Sequence, residues 1–110
     1  MLQYQTAEKV YAELKMKSEQ SPVKGFQDFF KLFLKSAVDY AATRSSWATM
    51  DQDARNEDDK PRRVKHDAFI SMLNAVSRNL NVDIEEIMPD RKTKGDFACY
   101  IALLLALEQR

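Results

Sequence analysis

Asp51, Asp53, Glu57 and Asp59 fall at alternating positions in WATMDQDARNEDDKPRRVKHDAF, residues 47–69, and oxygen ligands at such spacing are what a twelve-residue calcium loop uses. The pattern fails at three places. Arg55 stands at the fifth position of such a loop, Asn56 at the sixth, where the tight turn needs glycine, and Arg62 at the twelfth, where a bidentate acid closes the shell. His66 beside Asp67 is a pair from which a water-activating metal site can be built, but more histidines are needed to hold the metal, and His66 is the only one in the chain. Cys99 is the only cysteine, which excludes an intrachain disulfide and any two-cysteine metal or redox motif, and its neighbours Ala98, Tyr100 and Ile101 predict a buried thiol. Nucleophilic catalysis would need His66 to serve Cys99 or a serine, and no strand-turn-helix elbow presents a serine. The acids of residues 51–67 are interleaved with five bases, which lower carboxyl pKa values instead of raising one toward neutrality as an acid catalyst requires. No catalytic residue, no metal and no cofactor is expected, and a binding role is expected ahead of an enzymatic one.

A different set emerges from helical spacing. Following Phe33, Ala37 and Tyr40 or Ala41 in steps of three and four leads to Arg44, then to Trp47 or Ala48, then to Asp51 and Arg55. Charges therefore occupy the face that was apolar two turns earlier. An isolated buried charge costs several kcal/mol, so each must be paired, exposed or part of a pocket. His66 precedes Phe69 and Leu73 by three and seven residues, at the edge of another apolar face. Arg44, Trp47, Asp51, Arg55 and His66 are thus the candidate ligand-binding residues, lining a polar pocket between two helix ends. Arg44, Asp51 and His66 form its inward set, which fixes how those helices meet, and the other charges of residues 51–67 are a solvated junction.

Nucleic acid is not an expected partner. Seventeen basic and seventeen acidic residues give a formal net charge of zero, so no long-range field draws the whole chain to phosphate backbones or anionic lipid. Residues 74–88, NAVSRNLNVDIEEIM, resemble the closing helix-turn-helix pair of small repressor domains. In that family the pair is structural, and no helix with exposed Arg, Gln or Asn on a suitable face precedes it here. The clusters Arg62, Arg63, Lys65 and Arg91, Lys92, Lys94 each stand near acids and read as solvated helix ends.

The elements that must position these residues are helices. A 45% hydrophobic fraction with 31% charged residues is ordinary for a folded domain, and 110 residues suit one domain, residues 1–110, with one core. Two glycines and three prolines interrupt the chain, and the β-branched residues do not alternate with polar ones. The spacing predicts a first helix over residues 3–19, with Tyr4, Ala7, Tyr11 and Leu14 inward and a Glu13–Lys17 pair outward. Ser21 and Pro22 look like the N-cap and first position of a second helix that reaches residue 56, with residues 56–60 as the break, because Pro61 disfavours helical geometry just before it. A third helix carries Phe69, Leu73, Val76 and Leu80 inward, with Asn81 as its C-terminal cap. Asp83 and Glu86 have capping-box spacing for a short turn through Met88, and Thr93 with Asp96 repeats it before a last helix over residues 97–107.

That last segment, FACYIALLLAL, is apolar on every side; its eleven residues fall short of the roughly 20 that span a membrane. It predicts a central helix that also packs against a second copy. The N-terminus lacks the apolar core of a signal peptide. The expected fold is all-α, a single-domain helical bundle of four main helices plus one short helical turn. The expected function is a small cytoplasmic interaction or regulatory module that forms a homodimer or binds another protein through its helices. The alternative is a protein binding a small, anionic molecule, or an enzyme, that uses the region around Arg44, Asp51 and His66.

Overall fold

A computed structural model describes residues 2–109, apart from the side chains of Arg55 and Asp58. The fold is an all-α bundle of four helices: α1 (Tyr4–Gln20), α2 (Phe26–Thr49), α3 (Gln52–Asn79) and α4 (Arg91–Glu108). There is no strand among the described residues.

The apolar stripes go inward. Ala7, Val10, Tyr11 and Leu14 of α1, Phe26, Phe30, Phe33 and Ala37 of α2, and Phe69, Leu73, Val76 and Leu80 of α3 join Phe97, Ala98, Ile101 and Leu104 of α4 in one core. Each fully buried phenylalanine or leucine removed from water contributes about 1.5 to 3 kcal/mol. Contacts between α2 and α3 run in opposite chain directions: Phe33 stacks on Phe69, Tyr40 meets His66, and Arg62 lies over Trp47. The two helices form an antiparallel hairpin. By contrast, Tyr4 meets Tyr100 and Tyr11 bonds Glu108, so α1 runs parallel to α4. Helix α4 packs on the other three, as its all-round apolar sequence requires.

Three element boundaries differ from the sequence expectation, each for a local reason. Ser21 and Pro22 do not start α2: Ser21 ends α1, and α2 begins at Phe26 after Gly25 takes a left-handed φ of 82°, which glycine adopts without a Cβ penalty. Helix α2 ends at Thr49, not near residue 56. Met50 turns extended, and Asp51 caps α3 by accepting a 2.8 Å hydrogen bond from the Ala54 N–H. Pro61 therefore lies inside α3 instead of before it. Pro61 lacks the N–H that would bond the carbonyl of Glu57, but both residues are exposed, so water can take the freed acceptor.

Helix α3 ends in a Schellman motif. Asn81 has φ 56°, its N–H bonds the Arg78 carbonyl, and the Val82 N–H bonds the Ser77 carbonyl at 2.9 Å, which gives Asn81 the capping role expected of it. The short turn follows, with Asp83 accepting from the Glu85 N–H and the Met88 N–H bonding the Ile84 carbonyl. Helix α4 then starts six residues before the expected position. Its N-cap is Asp90, whose carboxylate accepts from both the N–H and the hydroxyl of Thr93, so Thr93 lies within the first turn and is not the cap. That earlier start adds Arg91, Lys92 and Lys94 to α4, setting Arg91 against His66 and Asp67 of α3, Lys92 beside the same face, and Lys94 on Glu85 of the preceding turn.

Candidate functional site

The second half of α2, the first half of α3 and the first turn of α4 enclose an open cleft of about 660 Å³. Tyr40, Arg44 and Trp47 line it from α2, Arg62, Arg63, His66 and Asp67 from α3, and Arg91 and Lys92 from α4. Steps of four and three along α2 and along α3 put each set on one face, and the antiparallel hairpin makes those faces opposite walls. Gly95 sets the spacing of α2 and α4. A Cβ there would stand 3.2 Å from the Tyr40 hydroxyl and 3.2 Å from a guanidinium nitrogen of Arg44, so the two helices approach as closely as a bare Cα allows.

Of the five candidate residues three come together, one does not, and one has its side chain outside the described residues. Arg44, Trp47 and His66 line the cleft. Asp51 does not: its carboxylate is exposed and occupied as the α3 N-cap, a role that follows from the chain breaking at Met50. The side chain of Arg55 lies outside the described residues. The inward set also differs from expectation in what it joins. Arg44 pairs with Asp96 of α4 at 2.8 Å and His66 contacts Arg91 of α4, so both tie the hairpin to α4 more than its two helices to each other.

Arg44 and Asp96 are 31% and 18% exposed, and Arg44 also donates to the Cys99 sulfur at 3.8 Å. Burial opposes the Arg44 charge, but the Cys99 sulfur, the Asp96 carboxylate and the Tyr40 oxygen outweigh it and raise its pKa. The thiol expected to be buried is only half-buried.

His66 is buried beneath the cleft with its ring edge-on to Tyr40, centroids 5.0 Å apart. Its Nε2 stands 3.4 Å from the Arg91 carbonyl oxygen, and its Nδ1 stands 3.0 Å from Arg91 Nη2 and 3.4 Å from Asp67 Oδ1. With Nε2–H donating to the carbonyl, Nδ1 is left to accept from the guanidinium, its shorter contact. A protonated ring would point a second donor at Arg91 and could turn it only to Asp67. Hydrogen bonding from His66 in that charged form, and from Arg91 in either form, holds the Asp67 carboxyl below the usual carboxylate range. Both imidazole nitrogens are engaged with α4, so His66 positions Arg91 instead of offering a free base.

Arg91 reaches Asp67 as well, but both ends of that pair are well exposed, at 71% and 62%. Arg62 and Arg63 share Asp59, at 3.5 and 3.0 Å. The Arg62 guanidinium carbon lies 4.5 Å from the Trp47 ring centroid, a cation–π contact, while its Nε is shielded from solvent with no acceptor among the described residues. Five cationic side chains in the lining thus face three carboxylates, Asp67 within it and Asp59 and Asp96 at its edges. Among the described residues two positive charges remain in excess there, in a protein of zero formal charge.

Among the described residues no group of three or more His, Cys, Asp or Glu could hold a metal ion. Among the described residues no helix is long and apolar enough to cross a membrane. Sequence reasoning missed Arg91, Lys92 and Asp96 as partners of this site. The signal was Asp90 three residues before Thr93, an N-cap that brings α4 forward far enough to deliver them. The chain matches no protein-family model, no curated protein and no solved structure, which leaves the chemistry of the cleft as the guide to its use.

Proposed function

We propose that this protein binds a small anionic ligand in the cleft between α2, α3 and the first turn of α4. The observation that carries the proposal is the convergence of Arg44, Arg62, Arg63, Arg91 and Lys92 from three helices on a concave surface with two positive charges in excess. Guanidinium groups present forked donors that match carboxylate and phosphate oxygens two at a time. The volume lies in the range of small-molecule sites, roughly 300 to 1,000 Å³. The exposed Arg91–Asp67 pair contributes no more than about 1 kcal/mol, so an incoming anion can take Arg91 from Asp67 at little cost.

Trp47 is the only tryptophan and lies in the wall, so its fluorescence reports occupancy. Titration with inorganic pyrophosphate at constant ionic strength should give a saturable change. A double variant, Arg91→Gln with Lys92→Gln, alters two exposed side chains and should fold normally with the response lost. A linear drift, or an equal response in the double variant, would refute anion binding at this site.

A second reading rests on a different surface. Met16, Leu103 and Leu107 are 49%, 47% and 42% exposed, and Met16 and Leu107 border a groove between α1 and α4. A homodimer packed there would cover them, as in a self-associating cytoplasmic interaction module. Light scattering behind size-exclusion chromatography over a hundredfold concentration range should then show a dimer, and a 12.7 kDa monomer throughout would rule it out.

A further inference from the structure

The cleft is not uniform along its length, and the difference selects among anions. Tyr40 and Trp47 are seven residues apart on α2, about 10 Å along the helix axis at 1.5 Å per residue. At the Tyr40 end stand His66 and the first turn of α4, with Arg44, Arg91 and Lys92. Arg44 and Lys92 also border a smaller pocket with Asp96, which places them side by side. At the other end the Arg62 guanidinium lies over the Trp47 indole. One end is a cluster of cations, and the other is a flat cation resting on an aromatic ring.

We infer that the ligand is a phosphate monoester carrying a planar ring, of the free mononucleotide class, its phosphate held by Arg44, Arg91 and Lys92 and its ring stacked on the Trp47–Arg62 pair. This rests on the anion-binding proposal. Arg44, Arg91 and Lys92 offer three cationic groups at the Tyr40 end, and once the anion takes Arg91 from Asp67 their donors suit the three oxygens of a phosphate better than the two of a single carboxylate. Simple anions would need no aromatic wall. A planar heterocycle gains from one, since guanidinium planes and indoles both stack on π-faces, and a sugar-sized spacer between phosphate and ring suits the separation along α2. The Arg62 Nε–H, without an acceptor among the described residues, is a donor that a small shift of the side chain would turn toward a ring nitrogen or carbonyl. A nucleic-acid strand is disfavoured. Beyond the cleft α3 continues through the exposed acids Asp53 and Glu57, and the whole chain offers no basic excess to follow a backbone.

Isothermal titration calorimetry of the intact chain at fixed ionic strength tests this with four probes: adenosine 5′-monophosphate, ribose 5-phosphate, adenosine, and a 5′-phosphorylated hexa-adenylate. The expected result is saturable binding of the mononucleotide, about tenfold tighter than ribose 5-phosphate, with adenosine undetectable and the hexanucleotide no tighter than the mononucleotide. Trp47→Leu should bring the mononucleotide down to the affinity of ribose 5-phosphate and leave the latter unchanged, and Trp47→Phe should keep most of the difference. Circular dichroism checks that each variant is folded. Equal affinities for mononucleotide and ribose 5-phosphate would overturn the ring assignment while anion binding stood. Tighter binding of the hexanucleotide would reassign the cleft to a strand. Adenosine binding as well as its phosphate, or no binding by either phosphate, would overturn both proposals.

Discussion

Residues 26–37 and residues 40–49 belong to one helix with one spacing, yet the first half of α2 places Phe26, Phe30, Phe33 and Ala37 in the core, and the second half places Arg44 and Trp47 in a cleft wall. The difference lies in what packs opposite. The first half faces Phe69 of α3 and the apolar part of α4, and the second faces the first two turns of α4, where Asp96 meets Arg44 and Gly95 admits Tyr40. A helix face that turns from apolar to charged along its length is thus solved by a neighbour that turns polar at the same level. The first half supplies stability, and the second supplies a charged surface held in place by it.

The largest effect should come from the core half. Phe33→Ala removes a fully buried ring stacked on Phe69 and should cost about 3 to 5 kcal/mol, read by denaturant unfolding. A loss under about 1 kcal/mol would mean that this half is not the source of stability. Next comes the contact that joins the halves to α4. Gly95→Leu must displace Tyr40 or Arg44 and should cost about 1 to 3 kcal/mol, with a larger proportional loss of pyrophosphate binding. Ala in place of Gly gains about 0.5 to 1 kcal/mol within a helix, so Gly95→Ala more stable by that full amount would show that α2 and α4 can part slightly at no cost.

In the cleft half, Arg44→Ala leaves Asp96 without its partner at a partly exposed site and should cost about 1 to 2 kcal/mol, whereas Glu57→Ala, on exposed α3, should cost about 0.5 kcal/mol or less. Equal losses would dissolve the distinction between a braced charge and a solvated one.

The effect at the far end of the bundle is confined to alkaline pH. Burial, then the charge and hydrogen bond of Glu108, push the Tyr11 phenol up to about 12 from an ordinary 10.0. The folded state thus holds the Tyr11 proton more tightly than the unfolded chain does. Its contribution is complete below pH 10 and is lost as pH rises toward 12. Tyr11→Phe should flatten this alkaline decline in melting temperature, and an identical slope would show that the Tyr11 phenol is not its source.

Much of the bundle was legible in the sequence because core stripes repeat. Phe69, Leu73, Val76 and Leu80 declare the inner face of α3 by spacing alone, and the Glu13–Lys17 pair forms at 3.1 Å as its spacing implies. The boundaries were harder, because a cap is one hydrogen bond and competes with stronger-looking punctuation. Pro61 suggested a break over residues 56–60 that Met50 and Asp51 make instead, and Ser21–Pro22 suggested a start that Gly25 makes four residues later. Arg44, Trp47 and His66 were visible as departures from apolar stripes. Their α4 partners were not, since Arg91, Lys92 and Asp96 meet them only through the turn after α3, and residues 80–90 carry no periodicity that fixes where the next helix lands.

The central claim is that the second half of α2 is one wall of an anion site. Two-dimensional amide NMR of the labelled chain, titrated with inorganic pyrophosphate at constant ionic strength, tests it most directly. Saturable shifts should be confined to amides around Tyr40, Arg44, Trp47, His66 and Lys92, with those of Phe30, Leu14 and Ile101 unmoved, and the same pattern should appear with Lys9→Gln on the exposed side of α1. Shifts scattered over lysines and arginines of all four helices, without saturation, would contradict the account.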